Sequence, residues 1–400
     1  MGKRIVTALL ALLLLVSCTG CGIVRSVGAA RENYEQDQLK RYVAFFSGDE
    51  MGDPVDSLEY EQYESVYSEY NARIMYQTMT SDQQLIYRLM EYASDHGFTS
   101  IFIDSRLLVG LSLTLENILQ LYAMDSPMMQ QNYSYTTQST SYTFSYLEGL
   151  WEFEVSGTVI SVEGFSAEAM TKKKAALAEA KTVYAQMPAG LSQLEQARFF
   201  FRYLIGQVQY NLTKASPDQQ HNLYDAFINK KTQCDGFANA FSLLCSMAQI
   251  PCVEKVKSEE KDGEIGHTWN AFCADGIWYN ADLALDEDYA KEHRELGVDF
   301  NFGFSDQRNK YVPDFAERFP SCTSDLLVPD LTASSTSDPA LLGGIKQAFR
   351  ATGREYVMVR LEEGELSKET LQKIANHIKS DIHTYAIPWG GVLHYFIFKR

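Results

Sequence analysis

Three short stretches decide how this chain reads: Thr232-Gln233-Cys234-Asp235-Gly236-Phe237-Ala238-Asn239-Ala240-Phe241, then Gly266-His267-Thr268-Trp269-Asn270, then Gly276-Ile277-Trp278-Tyr279-Asn280-Ala281-Asp282. Cys234 stands ahead of an apolar run in which Phe237, Phe241 and Leu244 recur at helical spacing, which predicts a helix beginning at the cysteine. Free backbone N–H groups and the helix dipole favour a thiolate at such an end. Gly236 permits tight backbone approach in that first turn. His267 opens an extended segment running to Phe272, and Ile277-Trp278-Tyr279 leads directly to Asp282. Ala274-Asp275-Gly276 between the two segments has the chemistry of a hairpin turn.

A hairpin would let His267 and Asp282 face each other across a sheet, with the Cys234 helix packed beneath. That supplies a nucleophile, a base and an orienting acid. Asp282 would accept a hydrogen bond from one imidazole nitrogen, leaving the other for the Cys234 sulfur. The resulting thiolate–imidazolium pair could attack a carboxamide carbon. Trp269 reads as a wall beside the histidine, and Asn270 and Asn280 as braces of the hairpin. For the tetrahedral oxygen the natural donor is the Cys234 backbone N–H, with Gln233 or Tyr224 as candidates for a second.

These residues resemble a known group of proteins, the transglutaminase-like superfamily of papain-type cysteine enzymes. Members share a cysteine helix, a His-Ala/Thr-Trp-Asn strand and a Trp-Tyr-x-x-Asp strand. Cys234, His267 and Asp282 match that triad one by one, over about Leu194 to Asp288. The resemblance implies an α+β core with the cysteine at a helix N-terminus and the histidine and aspartate on adjacent antiparallel strands. It also implies protease or amide-hydrolase chemistry through an acyl-thioester, favoured over amine cross-linking. Gln233 and Phe237 stand where Gly and Tyr are common, and Leu283-Ala284 where Thr-Trp is common. These departures touch the cleft wall and spare the triad.

The N-terminus gives a different kind of signal. Met1-Gly2-Lys3-Arg4 precedes an apolar run from Ile5 to Val16, the size of a signal-peptide core and short for a spanning helix. Leu15-Val16-Ser17-Cys18 resembles a bacterial lipoprotein signal, implying cleavage before Cys18 and lipid attachment to its sulfur; Cys21 fits less well. The expected location is the extracytoplasmic face of a bacterial membrane, held by the lipid alone. In that compartment disulfides are permitted. The seven cysteines are irregularly spaced, however, and outside the lipoprotein-like Cys18-Thr19-Gly20-Cys21 there is no CxxC pair. Cys245 reads as core, Cys252 and Cys273 as buried thiols or a bridge, and Cys322 as free or paired.

Around the core, the chain of 400 residues divides by texture. A signal segment (1–17) and a lipidated tether with lead-in (18–54) precede a mixed α/β module (55–165). The core with its preceding helices spans 166–330, and a strand–helix–strand module spans 341–400. The stretch from 55 to Tyr70 reads as helical, Thr80 to Gly97 as a capped helix, and 131–162 as an antiparallel pair. Lys172-Lys173-Lys174 reads as a solvated helix face, Glu254 to Glu264 as an exposed loop, and 334–338 as a boundary loop. At 46% hydrophobic and 22% charged the chain is globular. A formal charge of -17 opposes a nucleic-acid surface. The histidines outside the triad do not cluster at ligand spacing, no calcium-loop pattern is found, and no Gly-rich phosphate loop is present, so no metal or cofactor is expected. The expected partner is a protein or peptide substrate, with cell-wall peptide among the candidates. The rival reading is a catalytically silent binding or cell-wall-associated scaffold, with the flanking modules as the working surfaces.

Overall fold

The computed structural model describes residues 40–47, 50–53, 55–129, 135–146, 151–211, 222–258, 266–287, 298–309, 311–389 and 392–399. The apolar run Ile5–Val16, Cys18 and Cys21 lie outside them. Among the described residues no helix is long and apolar enough to cross a membrane. The chain forms two compact units. One is built from residues up to 65, 80–118 and 134–167, the other from 66–79, 119–133 and 168–400.

In the first unit, β1 (Tyr42–Ser47), β2 (Glu50–Met51), β3 (Val55–Asp56) and β4 (Ser100–Asp104) pair antiparallel, and α1 (Ser81–His96) packs beside them. The lead-in therefore ends earlier than the sequence suggested, because Tyr42, Val43, Ala44 and Phe45 are buried in a strand. α1 begins at a reciprocal Thr80–Gln83 capping box and ends at left-handed Gly97. A short helix α2 (Ser105–Leu108) and α3 (Leu115–Asp125) follow. The long hairpin of β5 (Tyr135–Tyr146) and β6 (Trp151–Val162) completes the sheet in the order β2-β1-β4-β6-β5. Gly157 lets β6 pass Phe102, since a Cβ there would lie 2.4 Å from the Phe102 ring. The stretch expected as a helix to Tyr70 is instead four-residue and three-residue 3-10 turns at Ser57–Tyr60 and Ser68–Tyr70. Tyr70 and Met128 lie in the core of the second unit, although both fall in the expected N-terminal module.

The second unit opens with α4 (Ala167–Tyr184) and α5 (Gln193–Gln207). On α4, Ala169, Lys173, Ala176, Ala180 and Val183 form the buried stripe. Helical period thus turns Lys173 inward, out of the expected solvated lysine face; its aliphatic stem can line apolar surface. α5 starts at a Ser192–Glu195 capping box and buries Phe200, Phe201 and Leu204. β7 (Gln209–Tyr210) pairs parallel with β8 (Lys231–Thr232), which feeds α6 (Cys234–Met247). Then β9 (Cys252–Lys257), β10 (His267–Ala274), β11 (Ile277–Ala281) and β12 (Phe302–Phe304) form an antiparallel sheet in the order β12-β11-β10-β9. Asp275 and Gly276 turn the β10–β11 hairpin with φ of 53° and 81°, the positive pair that a two-residue turn of this hand requires.

α6 lies on this sheet through an aromatic cluster. Phe241 meets Phe272 edge-on at 5.7 Å, and Phe201 and Phe302 close the group, with centroids 5.1 Å apart. Cys245 and Cys252 are buried thiols, and Cys273 and Cys322 are likewise unbridged. The expected loop from Glu254 begins inside β9, where Glu254 and Lys255 are buried. The C-terminal sheet has the order β13-β14-β16-β15 from β13 (Leu331–Ser335), β14 (Tyr356–Glu363), β15 (Ile382–Trp389) and β16 (Val392–Lys399). The expected boundary loop at 334–338 is in part strand β13, parallel to β14, with Asp338 accepting from Ser334 and Ala340 N–H. α7 (Ala340–Thr352) and α8 (Lys368–Ile378) contribute to the apolar core of this module. On the core side, Met358, Phe396 and Phe398 meet Phe300.

Phe241→Ala should destabilise the second unit by about 3–5 kcal/mol, the usual cost of deleting a buried phenylalanine. Urea unfolding followed by tryptophan fluorescence measures it. A loss under about 1 kcal/mol would mean that the cluster does not hold α6 to the sheet.

Candidate active site

Cys234 is the first residue of α6 and is half-buried. Gly236 makes this start possible, because a Cβ there would lie 1.9 Å from Thr232 Oγ1 on the strand that delivers the cysteine. Asp235 is buried and turns its carboxylate onto the Gly236 N–H at 3.0 Å, so an acid sits in the first turn where the dipole favours it. The bare end left at Cys234 has no side-chain cap from Gln233.

His267 begins β10, and Asp282 follows the last residue of β11. Their side chains meet at 2.6 Å between Nε2 and Oδ2. Asp282 is itself fixed: its Oδ1 accepts from Leu285 N–H at 3.1 Å, and its own N–H donates to Asn301 O at 2.8 Å. With Nε2 engaged, Nδ1 is the nitrogen left for Cys234, to which the imidazole also hydrogen-bonds. Burial alone would lower the imidazole pKa. The Asp282 charge and hydrogen bond, aided by Cys234, overcome that penalty and hold it well above the ordinary histidine value. The three residues singled out in the sequence are therefore assembled in one place, in a geometry that can hold a thiolate against an imidazolium.

Trp269 is buried and stacks beside His267, centroids 6.0 Å apart at 16°. Its Nε1 donates to Asn280 Oδ1 at 3.2 Å, which gives Asn280 the bracing part expected of it. Asn270 braces the other side, donating to Ala238 O on α6 at 3.0 Å. The remaining oxyanion candidates point elsewhere. Gln233 Nε2 is aimed at Asn211 O, 3.4 Å away, and Tyr224 caps the short helical turn Asp225–Asn229.

Several neighbours escaped the sequence reading. Tyr311 lies against both the histidine and the tryptophan, 4.6 Å and 5.9 Å between ring centroids. It is far along the chain and carries no local signal. Tyr210 hydrogen-bonds the Cys234 side chain from β7. Behind Trp269, Lys255 Nζ donates to Asn280 Oδ1 at 3.0 Å and to Asp306 Oδ1 at 2.7 Å. Asp286 is fully buried near Asp282, accepting from Asn301 N and Nδ2. Burial, first of all, raises its carboxyl well above the usual range. Among the described residues, no group of three or more His, Cys, Asp or Glu side chains is placed to hold a metal ion.

Residues 176–283, which contain all three triad positions, match the transglutaminase-like superfamily. The fold of this core is of the transglutaminase-like, papain-type kind. Two curated relatives are kyphoscoliosis peptidase of Mus musculus, 28% identical over 102 residues, and of Homo sapiens, 26% identical over 102 residues. The matched part is 23% of this chain, which spans only 15% of the length of those relatives. A solved structure of a TGase aligns at 13% identity over 51% of this chain and 54% of its own, with a TM-score of 0.24.

The histidine makes a signed pH prediction, best isolated in a Cys234→Ala chain, where Asp282 is the remaining cause of the raised value. A folded pKa above the unfolded one, about 6.5, gives stability that is fully present below pH ~6.5 and lost as pH rises through the folded value. The urea midpoint of Cys234→Ala should therefore decline with pH above ~6.5. Adding Asp282→Asn should flatten that decline. Parallel pH profiles for the two chains would contradict the assigned cause.

Proposed function

We propose that this chain is a thiol enzyme that opens peptide or carboxamide bonds through Cys234, His267 and Asp282, with hydrolysis favoured over transfer to an amine. The observation that carries the reading is His267 held between Asp282, at 2.6 Å, and Cys234 at the head of α6. Cys234 sulfur attacks the carbonyl carbon, and the carbonyl electron pair moves to oxygen. On collapse the C–N bond breaks, and the leaving amine takes the proton from the imidazolium, giving an acyl-thioester and a neutral His267. Water then attacks the thioester carbon while His267 removes its proton. The acid leaves and the sulfur is regenerated opposite the imidazolium. Asp282 holds the ring in one orientation and offsets its charge throughout.

The peptidase name carried by the curated relatives supports hydrolysis, as does the resemblance to bacterial members of the group. The proposed place of action is the extracytoplasmic face of a bacterial membrane, with the chain tethered by lipid at Cys18. Protein or peptide is the proposed substrate class.

With dimethylated casein as the probe, the full-length chain should release new amino termini. Cys234→Ala should lower that release at least ~10³-fold, the scale on which loss of a nucleophile acts, without lowering the melting temperature. Monodansylcadaverine in the same reaction measures transfer, and incorporation faster than hydrolysis would reverse the stated preference. Undiminished cleavage by Cys234→Ala would sink the mechanism. Independently, radiolabelled palmitate should enter the wild-type chain and not Cys18→Ser; equal labelling of both would remove Cys18 as the lipid site.

A further inference from the structure

We infer that strand β5 is a docking edge for a second copy of this chain, the two copies of β5 pairing antiparallel about a two-fold axis at Ser141. The inference concerns the first unit and stands apart from the chemistry proposed for the second.

β5 closes one end of its sheet, in the order β2-β1-β4-β6-β5. Which of its backbone groups turn outward follows from the ladder. Alternate residues of an antiparallel strand bond to opposite sides. Val162 N–H donates to Thr99 O at 2.8 Å, on the β4 side of β6. Ile160 and Thr158 therefore also face β4, while Ser161, Val159, Gly157 and Val155 face β5. The register sets these four opposite Thr136, Gln138, Thr140 and Tyr142. Thr137, Ser139, Ser141 and Thr143 are left with their N–H and C=O turned away from the sheet. β4 stops at Asp104, opposite Gly157, so the hairpin runs on past it from Ser141.

An outward edge of this length is ordinarily blunted by lysine, proline or a bulge. The twelve residues of β5 contain no charged residue, no Pro and no Gly, and their register with β6 is unbroken. Thr, Ser, Tyr, Gln and Phe make up the whole strand, so it keeps a strong extended preference without a large apolar face. Thr137, Ser139, Ser141 and Thr143 are all exposed.

The sequence of the edge favours its own copy as occupant. A two-fold interface must be self-complementary. An axis at Ser141 sets outward groups against outward groups, so Ser141 exchanges both backbone hydrogen bonds with its counterpart and Ser139 does so with Thr143 of the other copy. On the opposite face Thr140 meets Tyr142, an aromatic and β-branched pair that the symmetry makes twice. Hydroxyl pairs across strands are already used in this sheet, where Ser141 Oγ lies 3.1 Å from Ser156 Oγ and Ser100 Oγ 2.7 Å from Ser161 Oγ. Charge points the same way. The formal charge of -17 repels a second copy, and the edge that carries none of it is where two copies can meet. Two acids border that edge without lying on it: Glu116 accepts from the Thr137 hydroxyl, and Glu154 stands opposite Thr143 on β6. Salt screens their repulsion and that of the whole chain beyond about 8 Å at physiological strength, so association should tighten as salt is raised.

Sedimentation equilibrium of the full-length chain in density-matched detergent tests this. The wild type should reach twice the mass of one chain as concentration rises, and at lower concentration in higher salt. Ser141→Pro removes the two N–H donors at the axis and spares those that face β6, a substitution an edge strand tolerates. It should weaken association about 30-fold, for two backbone hydrogen bonds lost, with cooperative melting retained. Ser141→Lys and Ser141→Glu each set like charges opposite one another, and each should weaken association. An equimolar mixture of the two should restore it through opposite charges. A wild-type chain that stays monomeric would overturn the inference and leave the edge to another kind of strand. A dimer indifferent to all three variants, or a mixture no more associated than either variant alone, would also overturn it. Should Ser141→Pro not melt cooperatively, the Lys and Glu variants and their mixture decide alone.

Discussion

Everything at this site depends on how α6 is held to the sheet. The aromatic cluster of Phe201, Phe241, Phe272 and Phe302 contains no reactive group, yet it fixes the position and rotation of the helix that begins at Cys234. A helix advances about 100° per residue, so slight rotation about its axis would carry the sulfur away from the imidazole. Asn270 adds a polar pin from β10 to the helix backbone at Ala238. β10 serves two masters because strand side chains alternate. Asn270 and Phe272 face the helix, while Trp269 turns to Asn280 and Lys255. The strand thus couples apolar packing on one face to the polar support of the histidine on the other.

That polar support is unusual in placing a lysine inside. Lys255 is buried, and an ammonium there is tolerable only if its donors are met. Asp306 and Asn280 meet them. Asn280 Oδ1 also receives the Trp269 indole N–H, and its Nδ2 donates to Phe304 O and Asp306 Oδ1. The wall beside His267 is therefore fixed by hydrogen bonds as well as by stacking. Tyr311 completes a group of three rings with His267 and Trp269. Packing of the imidazole against both rings limits its tilt, with Nε2 on Asp282.

The triad and its supporting hairpin were legible because their signals are local. Asp275-Gly276 dictates a tight turn, the alternation after His267 dictates a strand, and the apolar run after Cys234 dictates a helix. The capped helix at Thr80 was legible for the same reason. What escaped depends on pairing between distant segments. Tyr42–Ser47 reads as a tether until β4 is available to pair with it, and Leu331–Ser335 as a polar loop until β14 lies alongside. Lys255 looks like one more charge in an acidic, lysine-mixed run; only the β9–β10 register, which sets it opposite Trp269, turns it inward. Tyr210 carries no local signal; its place beside the entry to α6 is a property of the β7–β8 pairing. Cys322, read as free or paired in a polar loop, is a buried thiol whose N–H donates to Asp306.

The electrostatics of the site turn on keeping two neighbouring acids unlike. Asp282 and Asp286 lie one helical turn apart, joined by the Asp286 N–H donating to Asp282 O at 3.3 Å. Two carboxylates so close, both out of water, could not both ionise without a large penalty. Their partners divide them. Asp282 faces an imidazole able to carry a positive charge, so its own charge is offset where it is needed. Asp286 accepts from the neutral N–H donors of Asn301 at 3.0 and 3.2 Å. Burial then pushes the Asp286 carboxyl up, toward the protonated form. The His267–Asp282 contact at 2.6 Å, with Cys234 on the other side of the imidazole, carries the charge coupling of the triad. The imidazolium that Asp282 sustains is the group that must meet a thiolate on one side and surrender its proton to a leaving amine on the other.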